Sequence, residues 1–480
     1  MKRYIPLSII TFLAGWLNQS CRSNPNDLPE FVTFSEIINS QIALDSFYTQ
    51  GIASVDLNND LYPELYMTNS WEGFDNHFYH NLEATYMKDS VSFKLSDMSF
   101  SNGCTFADLN NDGFLDLCLA NANDKYNQVL FGSKTLRYSE HFIDTNAANW
   151  SYSIAIADVD NDGSLEAYIS NFHSQKNMFY DINETQFIEI DSTEITRDTS
   201  STLFSAWSDL NNDGLQDLIV CNDSANYIFR NEGNQVFTRI NNHFSIDKKM
   251  SYGCSVADYN NDGLMDIFIT NWAGKNCLFK NNGNFKFEKL NIRPFNFDYH
   301  NSEGSCWGDY DNDGYTDLFI TNDGVNILYK NLEGKAFEKQ LFPTISDTNR
   351  NSNGMVWTDY NLDGGLDIII ANGGNQRNQI FKSSRNRNNW VKIKLEGTIS
   401  NRSAIGSRVI VYSSGLIQHQ EIQAQSGGGC GSQKPYLLHF GLAQNTAVDS
   451  IQIKWPLSPM VTKKDLNCNN IYTFKISTLS

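Results

Sequence analysis

DYDNDGYTDLFITN, residues 309–322, joins an acidic, glycine-containing loop to a short apolar run, and near-copies recur along most of the 480-residue chain. The first aspartates of these loops fall at 56, 108, 158, 209, 258, 309 and 359, so the period stays between 49 and 52 residues. Seven copies at so steady a spacing define a repeat architecture. Within one copy, GCSVA (253–257) leads into the loop DYNNDGLMD (258–266), and IFITN (267–271), NCLFKNNG (276–283) and FKFEKL (285–290) follow. That order reads as four short strands separated by Gly, Asn and Asp turns, the content of a propeller blade. The 3.6-residue apolar period that a helical solenoid needs is absent. The expectation is an all-β chain: a seven-bladed β-propeller over residues 31–384 and a small β-sandwich-like domain over 385–480. The seventh copy ends NQIFKSSRNRNNW (378–390) without a closing F-x-F strand, whereas FVTFSEI (31–37) precedes the first loop. The N-terminal segment is therefore predicted to complete the last blade and pair the edges where the ring closes.

The loop pattern D-x-[DN]-x-D-G-x-x-[DE] places side-chain oxygens at positions 1, 3, 5 and 9. Alternate residues of a tight loop turn inward together, and glycine at position 6 permits the positive φ that brings position 9 back. Hard, mostly charged oxygen ligands on a flexible loop suit Ca²⁺ better than Mg²⁺. An EF-hand is excluded, because no Glu stands at position 12 and the flanks read as strands. The candidate ligands are Asp56, Asn58, Asp60 and Glu64; Asp108, Asn110, Asp112 and Asp116; Asp158, Asp160, Asp162 and Glu166; Asp209, Asn211, Asp213 and Asp217. The later copies add Asp258, Asn260, Asp262 and Asp266; Asp309, Asp311, Asp313 and Asp317; Asp359, Asn361, Asp363 and Asp367. Leu61 replaces the glycine in the first copy, so that loop is expected to be strained and its site the doubtful one of up to seven. Twenty-three carboxylates at ligand positions crowd charge that opposes folding unless cations offset it. At roughly 1 mM calcium, a dissociation constant of about 10⁻⁴ M stabilises by about 1.4 kcal/mol per site, so the ions are expected to be chiefly structural.

The formal charge of −19 is uneven: residues 385–480 carry a net +7 and residues 21–384 carry −28. So acidic a body excludes nucleic acid as a partner, and the opposite signs predict charge-complementary docking of tail on propeller. Lys2 and Arg3 precede the apolar stretch YIPLSIITFLAGWL (4–17), too short for a good membrane span. Residues 1–20 are expected to be an export signal, with Cys21 lipidated as in bacterial lipoproteins and 21–30 a tether. The departure is Asn18, where that signal expects Leu. The expected location is the outer membrane, or otherwise the periplasm or medium. Cys104, Cys254 and Cys306 occupy equivalent strand positions and read as packed thiols. Cys430 and Cys468 can bridge within the tail, and no cysteine spacing fits zinc.

The loop with DIFITN or DLFITN, then NxLFKNNG and F-E-K, resembles the FG-GAP/VCBS repeat, the unit of the integrin α-subunit propeller. The tail resembles the ASPIC/UnbV domain through NWVKIKLEGTISNRSAIGSRVIVYSSG (389–415), SGGGCGSQ (426–433), LHFGLA (438–443) and VDSIQIKWP (448–456). Repeats followed by this tail resemble the cartilage-acidic-protein family and its bacterial relatives, which place an aromatic residue near Cys430. The resemblance implies a calcium-binding surface protein for adhesion, scaffolding, or recognition of a protein or glycan.

Catalytic signals are sparse: neither HExxH nor GxSxG occurs. His77 and His80 in HFYH read as ordinary surface, His439 as a structural hydrogen-bonding group, and QSGGGCG as a flexible turn rather than a phosphate loop. Trp207, Trp307 and Trp357, each two residues before a loop, read as core, the alternative being a sugar-stacking ring. No catalytic or cofactor-binding residue is assigned. The competing function is a calcium-dependent polysaccharide lyase or hydrolase.

Overall fold

The computed structural model describes residues 31–71, 73–89, 100–123, 125–143, 149–197, 199–241, 244, 249–295, 299–346, 349–398, 400–426, 429 and 431–476. The export signal, Cys21 and Cys430 lie outside them. Among the described residues no helix is long and apolar enough to cross a membrane.

Each acidic loop joins the innermost strand of a four-stranded antiparallel blade to the second. The innermost strands are Thr49–Val55, Ser101–Ala107, Ser151–Ala157, Thr202–Ser208, Ser251–Ala257, Ser302–Gly308 and Asn349–Thr358. They stand side by side around an axis, and Asn349–Thr358 beside Thr49–Val55 closes the ring. The seventh blade takes its fourth strand from the N-terminal segment: Phe34–Glu36 pairs antiparallel with Gln379–Ser383, Phe34 opposite Ser383 and Glu36 opposite Phe381. Phe34 is buried edge-on against Phe342, with ring centroids 5.1 Å apart. The closure read from the missing seventh strand is therefore present.

Apolar residues of the sheet faces interleave between neighbouring blades, and polar groups stitch the blades together. An asparagine at the start of each third strand donates to the hydroxyl opening the next blade's first strand: Asn76 to Ser101, Asn127 to Ser151, Asn177 to Thr202, Asn226 to Ser251, Asn276 to Ser302, Asn326 to Ser352 and Asn378 to Thr49, all at 2.8–3.1 Å. Such buried side chains are favourable because both partners are satisfied. Each blade spends several asparagines this way, which accounts for the Asn-rich composition.

Trp207, Trp307 and Trp357 are buried between blades, where Trp357 stacks on Tyr310 at 6.4 Å and Trp307 on Tyr259 at 6.3 Å. They are core, and the sugar-stacking alternative is withdrawn for them. Gly308 is small because a Cβ there would come within 2.6 Å of the Trp357 ring. Cys104, Cys254 and Cys306 are buried within the blades, and Cys468 is partly exposed. His77 is not surface as expected. It is buried, 3.6 Å from Asp45, and burial pulls its imidazole below the usual histidine range against the opposing pull of the Asp45 carboxylate, which favours the protonated ring.

The tail folds as two sheets. Leu437–Ala443, Asn389–Glu396 and Asn470–Lys475 form one, and Leu416–Glu421, Arg408–Ser413, Ala447–Lys454 and Val461–Asn467 the other. Their apolar faces enclose Val391, Ile393, Val409, Val411, Ile451 and Ile453, a core continuous with that of blades two to four.

Replacing the closing aromatic, Phe34→Ala, is expected to lower unfolding free energy by about 3 kcal/mol or more, whereas Phe31→Ala, at a position 75% exposed, should change it by less than about 0.5 kcal/mol. Urea unfolding of the two variants checks this; equal effects would dissociate the N-terminal strand from ring stability.

Candidate metal-binding loops and the tail that covers them

In every loop the sixth-position N–H donates to the first-position carboxylate, as Gly314 does to Asp309 at 2.8 Å and Gly364 to Asp359 at 2.7 Å. The fifth-position carboxylate accepts the N–H two residues on, as Asp313 does from Tyr315 at 3.0 Å. The ninth-position carboxylate reaches back to the second N–H: Leu109 to Asp116 at 2.9 Å and Leu210 to Asp217 at 3.0 Å. Its second oxygen often receives the third strand, as Asp217 does from Asn231 at 2.9 Å and Asp317 from Asn331 at 2.8 Å. Glycine at position 6 has φ of 85–95°, and Leu61 takes the same left-handed region at 74° with its N–H still 3.2 Å from Asp56. The first loop thus keeps the shape of the others, with the strain of a side chain at positive φ confined to Leu61.

Carboxylates of positions 1, 3 and 9 converge within 4.8 Å in two loops, Asp158–Asp160–Glu166 and Asp309–Asp311–Asp317, sets that can hold a metal ion. Position 5, the fourth ligand position expected from the sequence, accepts a backbone N–H through Oδ1 in Asp162 and Asp313, which leaves Oδ2 outside that bond. Five buried loop oxygens have no hydrogen-bond partner: Asp160 Oδ1, Glu166 Oε1, Asp209 Oδ1, Asp266 Oδ2 and Asp367 Oδ2. An unpaired buried carboxylate oxygen is costly, and a hard cation is the chemistry that satisfies it, so the residues present fit calcium. Burial first, and neighbouring carboxylates second, push the acids up: Glu64, Asp116 and Asp266 to about 8 and Asp258 to about 7.

The tail lies across this face. Lys392 and Lys394, alternate residues of one strand, contact Asp359 and, at 2.9 Å, Asp56. Arg402 is 3.9 Å from Asp108, and Lys454 is 3.7 Å from Asp209. Arg408, held by Glu421 at 2.6 Å, donates to the Asp209 carbonyl at 3.1 Å. Ser208 Oγ donates to Glu421 at 2.7 Å, tying this buried pair to the fourth blade. Trp390 packs on Gly364, His419 on Gly263 and Leu416 on Gly314, so the loop glycines also serve as seats for the tail. The docking predicted from opposite charge is present, and it falls on the loops themselves.

Sequence reasoning passed over loop position 4. Its asparagine donates to the sixth-position carbonyl of the next blade at 3.0–3.1 Å: Asn111 to Gly163, Asn161 to Gly214, Asn212 to Gly263, Asn261 to Gly314 and Asn312 to Gly364. The amide oxygen of several faces the tail. Asn111 accepts from the Arg402 N–H at 2.9 Å, Asn59 from Lys394 at 3.0 Å, and Asn312 Oδ1 is 2.5 Å from His439 Nε2, the structural role expected of that imidazole. The signal was available as an Asn at position 4 in six of seven copies.

QSGGGCG is not a solvent turn. Gly429 lies against Gly304 and the Glu303 carbonyl, and Gly431 against Gly103, so any Cβ would strike inner-strand backbone. Gln433 follows, donating its N–H to the Ile52 carbonyl at 2.9 Å and bridging both backbone groups of Phe106 with its side chain. Gly429 and Gly431–Gln433 thus lie against the inner strands at the propeller axis, and glycine at 429 and 431 is required by close approach rather than by phosphate binding. Beside it a cavity of about 590 Å³ remains between tail and loops, lined among others by Lys434, His419, His439 and Glu421.

The FG-GAP-like repeat model matches residues 56–119, 108–169, 209–269, 258–320 and 309–370, and the ASPIC and UnbV model matches 397–479. No curated relative matches the chain. Among solved structures, the chain is similar to an Agrocybe aegerita lectin described as recognising non-reducing terminal N-acetylglucosamine, at 16% identity and TM-score 0.45, covering 74% of this chain and 94% of that one. It is also similar to BBS1N in complex with ARL6DN, soaked with lead, at 11% identity and TM-score 0.48, covering 74% and 96%.

Folded-state carboxyls near 8 bind more protons than unfolded ones near 4, so metal-free protein should lose stability as pH rises from about 4 to about 8. Millimolar calcium, which requires the ionised form, should abolish or reverse that slope. Melting temperatures at pH 5, 6.5 and 8, with and without calcium, test both signs; a metal-free melt that rises with pH would contradict the crowding.

Proposed function

Since the chain belongs to the FG-GAP-like repeat family and ends in an ASPIC and UnbV domain, we propose that it is an exported, calcium-binding propeller that recognises a protein or glycan at the cell surface. Up to seven loop ions are structural in this reading, Cys21 carries the lipid anchor, and the activity is binding rather than catalysis. The observation that carries it is the division between the faces. Among the described residues the tail meets the loop face and the axis and not the opposite face, where first strands begin and second strands end, and that is the face we assign to a partner.

That face carries aromatic pairs at blade edges. Trp71, 52% exposed, stacks on Tyr48 at 4.7 Å; Tyr252 lies 5.2 Å from Trp272; Trp150 lies edge-on to His173 at 4.8 Å. Flat aromatic faces with polar edges are suited to sugar rings and to protein hot spots alike. The cavity under the tail does not favour the lyase or hydrolase reading, because the acids that line it outside the loops and one imidazole are already engaged: Glu421 with Arg408 and Ser208, Glu396 with Lys475, and His439 with Asn312.

Trp71→Ala and Trp272→Ala should each weaken partner retention roughly tenfold or more while leaving the melting temperature unchanged. A pull-down from solubilised membranes in calcium, run beside a glycan array, identifies the partner class; retention indifferent to both tryptophans would move the site elsewhere. Cys21→Ser should shift the protein from the membrane to the soluble exported fraction, and unchanged membrane association would remove the lipid anchor.

A further inference from the structure

The seven loops differ in the charge set against them. One residue beyond the pairs Leu65–Tyr79, Leu218–Phe229, Ile267–Phe279, Leu318–Tyr329 and Ile368–Phe381, the register brings His80, Arg230, Lys280, Lys330 and Lys382 opposite the ninth loop position. The second blade places Phe131 there. The third places Asp181, paired directly with Glu166. Lys280 is 3.3 Å from Asp262, Lys330 is 3.0 Å from Asp313, and Lys382 is 3.8 Å from Asp363. Where the strand brings no cation onto the loop, in blades one, two and four, the tail does so with Lys394, Arg402 and Lys454. Six loops therefore hold an ammonium or guanidinium within 4 Å of a ligand-position carboxylate. Among the described residues, Asp158, Asp160, Asp162, Glu166 and Asp181 of the third repeat are in no ion pair.

This loop has independent marks of a ligand site. Asp158, Asp160 and Glu166 each offer an oxygen within 4.8 Å of the others. Glu166 is fully buried, and its Oε1 has no hydrogen-bond donor; Asp160 Oδ1 has none either, although Gln235 is 3.2 Å from the other Asp160 oxygen. Five acidic side chains, two unpartnered buried oxygens and no cation make the strongest field for a hard divalent ion on the ring.

We propose that the third-repeat loop is the highest-affinity divalent-ion site of this protein, a calcium site formed by Asp158, Asp160, Asp162 and Glu166 and strengthened by Asp181, and that the chain's own cations hold the other six loops to weaker binding. The proposal rests on the calcium reading above and goes beyond it in ranking the sites. Lysine and calcium compete for the same oxygens, so the residue opposite loop position 9, together with the tail, sets each loop's affinity.

The test uses the full-length chain stripped of metal, with calcium titrated calorimetrically and bound ions counted by native mass spectrometry. One ion is expected first, bound about tenfold or more tightly than those that follow. Asp181→Lys, which installs the residue used in blades five, six and seven, should weaken that first ion about tenfold or more. Glu166→Gln should remove it, and Lys330→Gln should add a second ion to the tight class. Circular dichroism confirms that each variant is folded; if Glu166→Gln is not, Asp181→Lys decides. Seven equivalent ions, or a first ion indifferent to Asp181→Lys, would overturn the ranking alone. No calcium uptake at all would overturn the calcium reading and the ranking together.

Discussion

The structure depends on how carboxylate charge is neutralised on one face of a ring. A blade needs its acidic loop because the first-position aspartate gathers the backbone N–H groups of the turn, Gly314 onto Asp309 and Gly364 onto Asp359 among them. A carboxylate that accepts several amide donors is a strong turn organiser. Repeating the device seven times places those charges around a common axis, where they repel. The tail answers this with a basic surface laid over the outward side, and the inward oxygens without donors are ones a hard cation would satisfy. Lys392, Lys394, Arg402 and Lys454 come from two strands and a loop of the tail, yet each stops at a first-position aspartate.

At the opposite end of the blades the chain uses neutral polar groups for the same purpose. The asparagine-to-hydroxyl bonds between neighbours need no ion and close through Asn378 onto Thr49. Back at the loop end, Asn81, Asn231, Asn281 and Asn331, at the ends of third strands, add bonds of 2.6–2.8 Å to the second-position carbonyl of the preceding blade's loop. Amides serve well because each both donates and accepts, and so satisfies two strand ends at once. Neutral amides thus join neighbouring blades at both ends, while the clustered loop carboxylates crowd the end that the tail covers.

The axial segment links the two domains in a further sense. Gln433 hydrogen-bonds inner strands of two adjacent blades, through Ile52 and Ser54 in the first and Phe106 in the second. Displacing the tail therefore opens inner-strand polar groups as well as loop contacts. Tail and propeller share one continuous apolar core, with the buried Arg408–Glu421 pair at their seam. A buried pair of this kind is far costlier to break than to form in place.

Periodicity alone determined the repeat, the four-strand blade, the number of blades and the permuted closure, because a strand pattern and an acidic turn are local features that survive in any context. The burial of Trp207, Trp307 and Trp357 followed from the same regularity. Composition gave the opposite charges of tail and body, hence their attraction, but no geometry. Only the folded chain decided that the tail sits on the loops, that Gly429, Gly431 and Gln433 reach the inner strands at the axis, that His77 is buried beside Asp45, and that Asp181 stands opposite Glu166. Each of these depends on which side chains meet across strands and domains distant in sequence, and contact across space is set by packing rather than by spacing along the chain.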